Sequence, residues 1–196
     1  MGNKGYGLEN EIETYFLTLT GQDRGMPLYE RCHRITASGA MRGDKGDVVT
    51  LNVSFLPKNI MVECKRRKEI AKSGKVLHIY EDWLEKAEEE AHNQNCIPVF
   101  VGSYFRATMN RKQVVVTEEF FEFSGIQISS LGICGIIPAI VKKHRYFLLD
   151  KTQLDFMYRS TRKCYVYDLP GTKKYYLLSW DLFTNILEKM RGPKET

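Results

Sequence analysis

Two short apolar runs, residues 48–53 and 60–65, flank a polar turn at Pro57–Asn59. That pattern restricts the middle of this chain to a β-hairpin. Side chains on a strand alternate faces, so Ile60, Val62 and Cys64 point one way and Met61, Glu63 and Lys65 the other. Asp47 stands at the mouth of the first run. Paired strands therefore bring two carboxylates together, and hard divalent cations prefer carboxylate oxygen. A lysine two positions past the second carboxylate lands on the same face, where it can orient a water or stabilise charge building on a phosphate. An isolated E-x-K is most often the solvated rim of a hairpin. The upstream aspartate and the basic run Lys65-Arg66-Arg67-Lys68 weigh for a site instead.

The 196 residues carry a net charge of +5, which is too mild to indicate nucleic acid by itself. Its distribution says more. Basic clusters lie at Lys65–Lys68, Lys142–Arg145, Arg159–Lys163 and Lys173-Lys174, while acids gather at Glu81–Glu90. Such asymmetry suits a surface that tracks phosphates. The cysteines at 32, 64, 96, 134 and 164 form no C-x-x-C pair and are odd in number, which argues against a disulfide framework or zinc site and for a reducing, intracellular, cytoplasmic setting. With no secretory signal at the polar N-terminus, no membrane role is expected. The stretch Phe123–Val141 is uncharged, yet its three glycines, one proline, three serines and Gln127 suit a spanning helix poorly. A buried segment or a subunit interface fits it better.

Residues 6–19 read as an amphipathic helix whose stripe is Leu8, Ile12, Tyr15, Phe16 and Leu19. Glu9 and Glu11 flank that stripe on opposite edges, and helical geometry alone leaves both open as cleft residues; Glu13 lies further round, at a solvated position. Further expected elements are a strand over Arg31–Ala37, a helix over Tyr80–His92 with Glu88, Glu89 and Glu90 outward, and strands over Cys96–Phe105 and Lys112–Val116 around a turn at Ala107–Arg111. Beyond Val116, three phrases (RKQVVVTEEFFEF, HRYFLLDKTQLDF, KYYLLSWDLFTNIL) each read as a strand running into a helix capped by Thr117, Asp150 or Ser179.

These residues resemble the PD-(D/E)XK nuclease superfamily. KGYGLENEIETYF at 4–16 looks like the first helix of archaeal-type Holliday junction resolvases, and RITASGA at 34–40 like their R-x-x-A-S-G segment. The Asp47-Val48-Val49 and Glu63-x-Lys65 elements follow in order, so the resemblance spans about residues 4–116. Gly46 stands where that family's pattern has proline before the aspartate. The resemblance implies an α/β fold, a restriction-endonuclease-like core of central mixed sheet flanked by helices over 1–116, with a C-terminal α+β extension over 117–196. It also chooses Glu9 over Glu11.

Its implied site follows residue by residue. Asp47 and Glu63 would bind Mg²⁺, or Mn²⁺ as a substitute, with the main-chain carbonyl of Cys64; Glu9 would complete the metal site. Lys65 would serve the attacking water, and Ser38 the scissile phosphate. Lys4, Arg34, Arg42, Lys45, Arg66, Arg67 and Lys68 would contact DNA. The implied partner is a four-way DNA junction cut by a homodimer, in a host cytoplasm if the protein is viral. The alternative is a related nuclease acting on duplex, flap or end structures, which the C-terminal segment favours.

Overall fold

In the computed structural model of the protein, the residues described are 6–35, 46–68, 75–106, 109–150, 153, 163–168 and 173–193. The chain opens with α1 (Tyr6–Thr20), then β1 (His33–Arg34), β2 (Val48–Val49), β3 (Ile60–Lys68) and β4 (Lys75–Tyr80). Next come α2 (Glu81–Asn93), β5 (Ile97–Arg106), β6 (Met109–Val116) and α3 (Glu118–Ser124). The remainder is β7 (Gly132–Pro138), β8 (Ile140–Val141), β9 (Arg145–Asp150), β10 (Lys163–Asp168), β11 (Lys174–Ser179) and α4 (Trp180–Arg191).

Eight strands form one mixed sheet in the order β1-β2-β3-β5-β6-β11-β10-β7. The pairs β3/β5 and β7/β10 are parallel and the other pairs antiparallel. A second, three-stranded sheet runs β4-β9-β8. Strands buried on both faces read as unbroken apolar runs, which is why Val114-Val115-Val116 and Tyr175–Leu178 show no polar alternation. Alternation still sorts them. Val99, Val101, Val114, Val116, Tyr176 and Leu178 meet Leu8, Ile12 and Phe16 of α1, Phe120 of α3, and Phe183 and Leu187 of α4. Phe100, Val115, Tyr175 and Leu177 face the opposite way, onto Leu84 of α2 and Ile79, Phe147 and Leu149 of the small sheet. Each such fully buried side chain contributes roughly 1.5–3 kcal/mol of transfer free energy.

The helices expected at 6–19 and 80–92 form within one residue of those bounds. The first hairpin strand is shorter than its apolar run, because Asn52 takes φ +52°, a left-handed conformation that ends extension. The expected turn at Ala107–Arg111 is also tighter: β6 begins at Met109, while Ala107 and Thr108 lie outside the described residues. Ser179 caps α4 by accepting a hydrogen bond from the Leu182 N–H at 3.1 Å, whereas Thr117 makes no cap bond to α3. The helix expected after Asp150 lies almost wholly outside the described residues. No described helix is long and apolar enough to cross a membrane.

Three acids sit differently from their expected solvated positions. Glu88 and Glu90 of α2 are buried, paired with Lys173 at 2.8 Å and Lys86 at 3.6 Å. Glu13 is buried between Arg31 Nη1 at 3.0 Å and Arg24 Nη2 at 3.1 Å. Helix periodicity counts only the helix's own stripe and cannot register a loop folding back over the other face. Arg31 also donates to the carbonyls of Met26 and Cys32, so Glu13 anchors the α1–β1 loop. Glu13→Gln keeps the acceptor but removes the charge that compensates Arg31, and should cost about 1.5–3 kcal/mol in urea unfolding, the range for hydrogen bonds to charged groups.

Candidate active site

Asp47 is locked by its own backbone. Its N–H donates to the Val62 carbonyl at 3.0 Å, and its carbonyl accepts from the Ile35 N–H at 2.9 Å. The residue is therefore held between β1 and β3, and its Oδ2 accepts the Cys64 N–H at 2.7 Å. Gly46 just before it adopts φ +89°, and a Cβ there would lie 2.7 Å from Met61 Cγ. Proline, fixed near φ −65°, cannot take that conformation. The glycine in the proline's place is thus a local backbone solution that still delivers the aspartate.

Glu63 lies on β3 one strand over, buried, and its carboxylate pairs with the Lys65 ammonium. The two residues share a strand face, as the i, i+2 spacing requires. Glu9 reaches the same place from α1, its carboxylate interacting with both Glu63 and Lys65. Glu11, the other candidate of the helix, points elsewhere and pairs with Lys112 of β6 at 2.9 Å. The structure therefore brings Glu9, Asp47, Glu63 and Lys65 together.

The electrostatics are those of acids crowded out of water. Burial raises the carboxyl pKa of Glu9, Asp47 and Glu63 above the ordinary carboxylate range, and neighbouring carboxylates push each further up. Glu90, reaching in from α2, adds to that repulsion on Asp47 and Glu63. Burial alone would lower the Lys65 pKa; Glu63 and Asp47 outweigh it and hold the ammonium charged. Like charges at such spacing are costly unless a cation shares them.

The fit to a divalent ion rests on this donor set. Asp47 and Glu63 offer carboxylate oxygens from adjacent strands. In an antiparallel ladder one residue's N–H and C=O point to the same side, so the Cys64 carbonyl faces the Asp47 side along with its N–H. Among the described residues, no three His, Cys, Asp or Glu side chains form a ready metal cage. Mg²⁺ asks for less: it keeps several waters and is held by one or two carboxylates. The residues fit such an ion.

Other expected site residues fall out as follows. Arg34 turns toward the acids: its Nε lies 3.8 Å from Glu9 Oε2, and its Nη1 donates to Asn10 Oδ1 at 3.3 Å. Sequence reasoning assigned Arg34 to DNA and missed this pairing with Glu9, since nothing local signals a contact between residues so far apart in the chain. Arg66 lies against the start of α1, where a Cβ on Gly7 would come within 2.7 Å of its Nη1. The backbones of Arg67 and Lys68 continue β3, but their side chains lie outside those described. Lys4, Ser38, Arg42 and Lys45 also lie outside the described residues.

A mixed sheet flanked by helices, with an aspartate on one strand facing a Glu-x-Lys on the next, defines a PD-(D/E)XK nuclease. A family model described as "Phage putative PDDEXK endonuclease" matches residues 2–167, and the chain belongs to that family. Among solved structures it is similar to Archaeoglobus fulgidus Hjc, a Holliday junction resolvase from an archaeal hyperthermophile. That match has 14% sequence identity and a TM-score of 0.41, covering 79% of this chain and 89% of the other. A likeness at that level bears on neither substrate nor mechanism. No curated protein matches the chain.

Proposed function

We propose that the protein is a Mg²⁺-dependent endodeoxyribonuclease that resolves four-way DNA junctions by paired, symmetric nicks. The observation that carries the nuclease chemistry is the convergence of Asp47, Glu63, Lys65 and Glu9 from three separate elements. The junction as substrate is supported by the sequence resemblance of residues 4–16 and 34–40. When bound, the cation supplies charge neutralisation on the phosphate and acidifies water.

The protein's own groups would act as follows. Asp47 and Glu63 hold the cation, with the Cys64 carbonyl beside them. Arg34 holds the Glu9 carboxylate facing the site, so Glu9 can accept a hydrogen bond from a water there. Lys65 is kept protonated by its neighbours and therefore acts as a donor, orienting the attacking water or the developing oxyanion. Ser38 would approach the phosphate from its own segment. Arg66, and the Arg67-Lys68 run after it, would follow the DNA backbone.

A related activity on duplex, flap or end structures is favoured by one observation. Beyond Val116 the chain adds three strands to the main sheet and two to the small one, more than the junction-resolvase resemblance accounts for. The deciding experiment offers labelled junction, duplex, flap and single strand with Mg²⁺ or with EDTA. Junction cut in Mg²⁺ with linear duplex of the same sequence left intact supports resolution; equal cutting of both assigns the second activity.

Phosphate-led recognition also predicts a salt signature. Junction affinity should fall steeply with salt and depend weakly on sequence. Neutralising Arg66 by Arg66→Ala should lower the slope of log K against log salt by about one unit if it contacts one phosphate. An unchanged slope would remove Arg66 from the DNA interface.

A further inference from the structure

β7 ends the eight-stranded sheet on the side opposite the catalytic strands. Among the described residues, its inner edge pairs with β10 and its outer edge has no ladder partner. A free edge presents a row of N–H and C=O groups that template another extended strand, and natural edges are commonly guarded by charge, proline, bulges or short length. β7 is seven residues long and carries no charge, and its one proline, Pro138, stands at its last position: Gly-Ile-Cys-Gly-Ile-Ile-Pro.

The one irregularity in β7 works the other way. Its register with β10 slips at Cys134, where Cys164 pairs Ile133 and Tyr165 pairs Gly135. Strict alternation would place Ile133 and Ile136 on opposite faces. The extra residue re-phases the strand, so both pair with Cys164 and Val166, which lie on the helix-covered face of the sheet. Both isoleucines stay uncovered, at 54% and 64% exposure, whereas Ile137 is buried on the other face.

We propose that β7 pairs antiparallel with β7 of a second copy of this chain, about a two-fold axis between Cys134 and Gly135. That axis sets Ile133 of one copy opposite Ile136 of its partner, twice, on one face. Directly opposed side chains in an antiparallel pair lie about 5 Å apart, within packing contact. The strand is self-complementary: it opposes no like charges, and Gly132, Cys134 and Gly135 let the backbones approach. An isologous interface of this kind closes the edge on itself, so assembly stops at two copies.

The pairing also sets the spacing of the two catalytic centres. From β3 to β7 is six strand positions inclusive, so crossing two copies takes eleven intervals of about 4.8 Å, or about 50 Å between centres.

Three measurements on the full chain test the proposal. Wild-type protein should sediment as a dimer at micromolar concentration, and Ile136→Asp as a folded monomer with an unchanged circular dichroism spectrum. The double variant Ile133→Lys/Ile136→Asp should regain the dimer, because the axis sets the new charges opposite one another. A short bis-maleimide should cross-link wild type but not Cys134→Ser; the other four cysteines are buried. A wild-type monomer, a dimer that survives Ile136→Asp, or a double variant that stays monomeric overturns the edge pairing. Should Ile136→Asp fail to fold, the wild-type sedimentation and the Cys134 cross-link still decide. A β7-linked dimer that cuts duplex as readily as junction overturns only the junction reading, not the edge pairing.

Discussion

Glu63→Gln and Asp47→Asn should each lower the cleavage rate at saturating DNA by about 10²–10⁴-fold, the range for removing one positioned catalytic group. Both changes are isosteric. Asp47→Asn would not disturb the ladder, since the backbone bonds of residue 47 to Ile35 and Val62 are independent of its side chain. Glu63→Gln keeps an oxygen for the Lys65 ammonium. What is lost is the negative charge that holds a cation and keeps Lys65 protonated. Affinity for DNA should be retained or rise, because each change removes a negative charge near the phosphate. A matched pair of single-turnover rates and filter-binding isotherms separates these effects. Full turnover by a folded Glu63→Gln protein would overturn the assignment of the site.

Adding Mg²⁺ at neutral pH should raise the melting temperature of the wild-type protein, and should not do so for Asp47→Asn. At a hundredfold excess over its dissociation constant, a bound ion contributes about 2.7 kcal/mol. For a chain of this size that corresponds to roughly 5–10 °C. The pH dependence has a definite sign. Glu9, Asp47 and Glu63 have folded-state pKa values raised above their unfolded ones, through burial first and mutual repulsion second. The folded state therefore holds these protons more tightly than the unfolded chain does. Below the ordinary carboxylate range both states are protonated and the groups contribute nothing. As pH rises from that range through the raised folded values, the metal-free fold loses stability, and the loss is complete above them. Melting curves without metal should thus fall from mildly acidic to neutral pH in wild type. The fall should be smaller in Asp47→Asn, and Mg²⁺ should reverse it in wild type alone. A metal-free melting temperature that climbs over this interval equally in both proteins would contradict the account of the site.

Much of the candidate site was legible in the chain because it depends on local backbone geometry. Glu63 and Lys65 share a face because a strand alternates, whatever surrounds it. Asp47 stands beside them because a hairpin pairs the residues that flank its turn. The stripe Leu8–Ile12–Phe16 buries because helix periodicity puts it on one side. Lys112–Val116 and the start of KYYLLSWDLFTNIL could be read as strands from their apolar runs; that both are buried on both faces came from the packing of the helices and the small sheet.

What the local pattern left open turned on residues far apart in the chain. Periodicity could not choose between Glu9 and Glu11; the placement of Lys112 on β6 drew Glu11 away, while Arg34 held Glu9 at the site. It read Glu13, Glu88 and Glu90 as solvated; the loop at Arg31 and Lys173 just before β11 pair with the buried Glu13 and Glu88, and Glu90 is buried where it faces Asp47 and Glu63.

Bond geometry over a few residues dictates which side chains alternate, which helix face is apolar, and which acids and lysine one hairpin collects, so the order of amino acids was enough for these. Helix geometry left Glu9 and Glu11 open and only the family resemblance chose Glu9; that the segment after Val116 extends the same sheet emerged from the assembled fold alone. So did the extra residue at Cys134 that turns Ile133 and Ile136 to one face. Those outcomes depend on strand order and register, which are set by long-range packing free energy and carry no local signature.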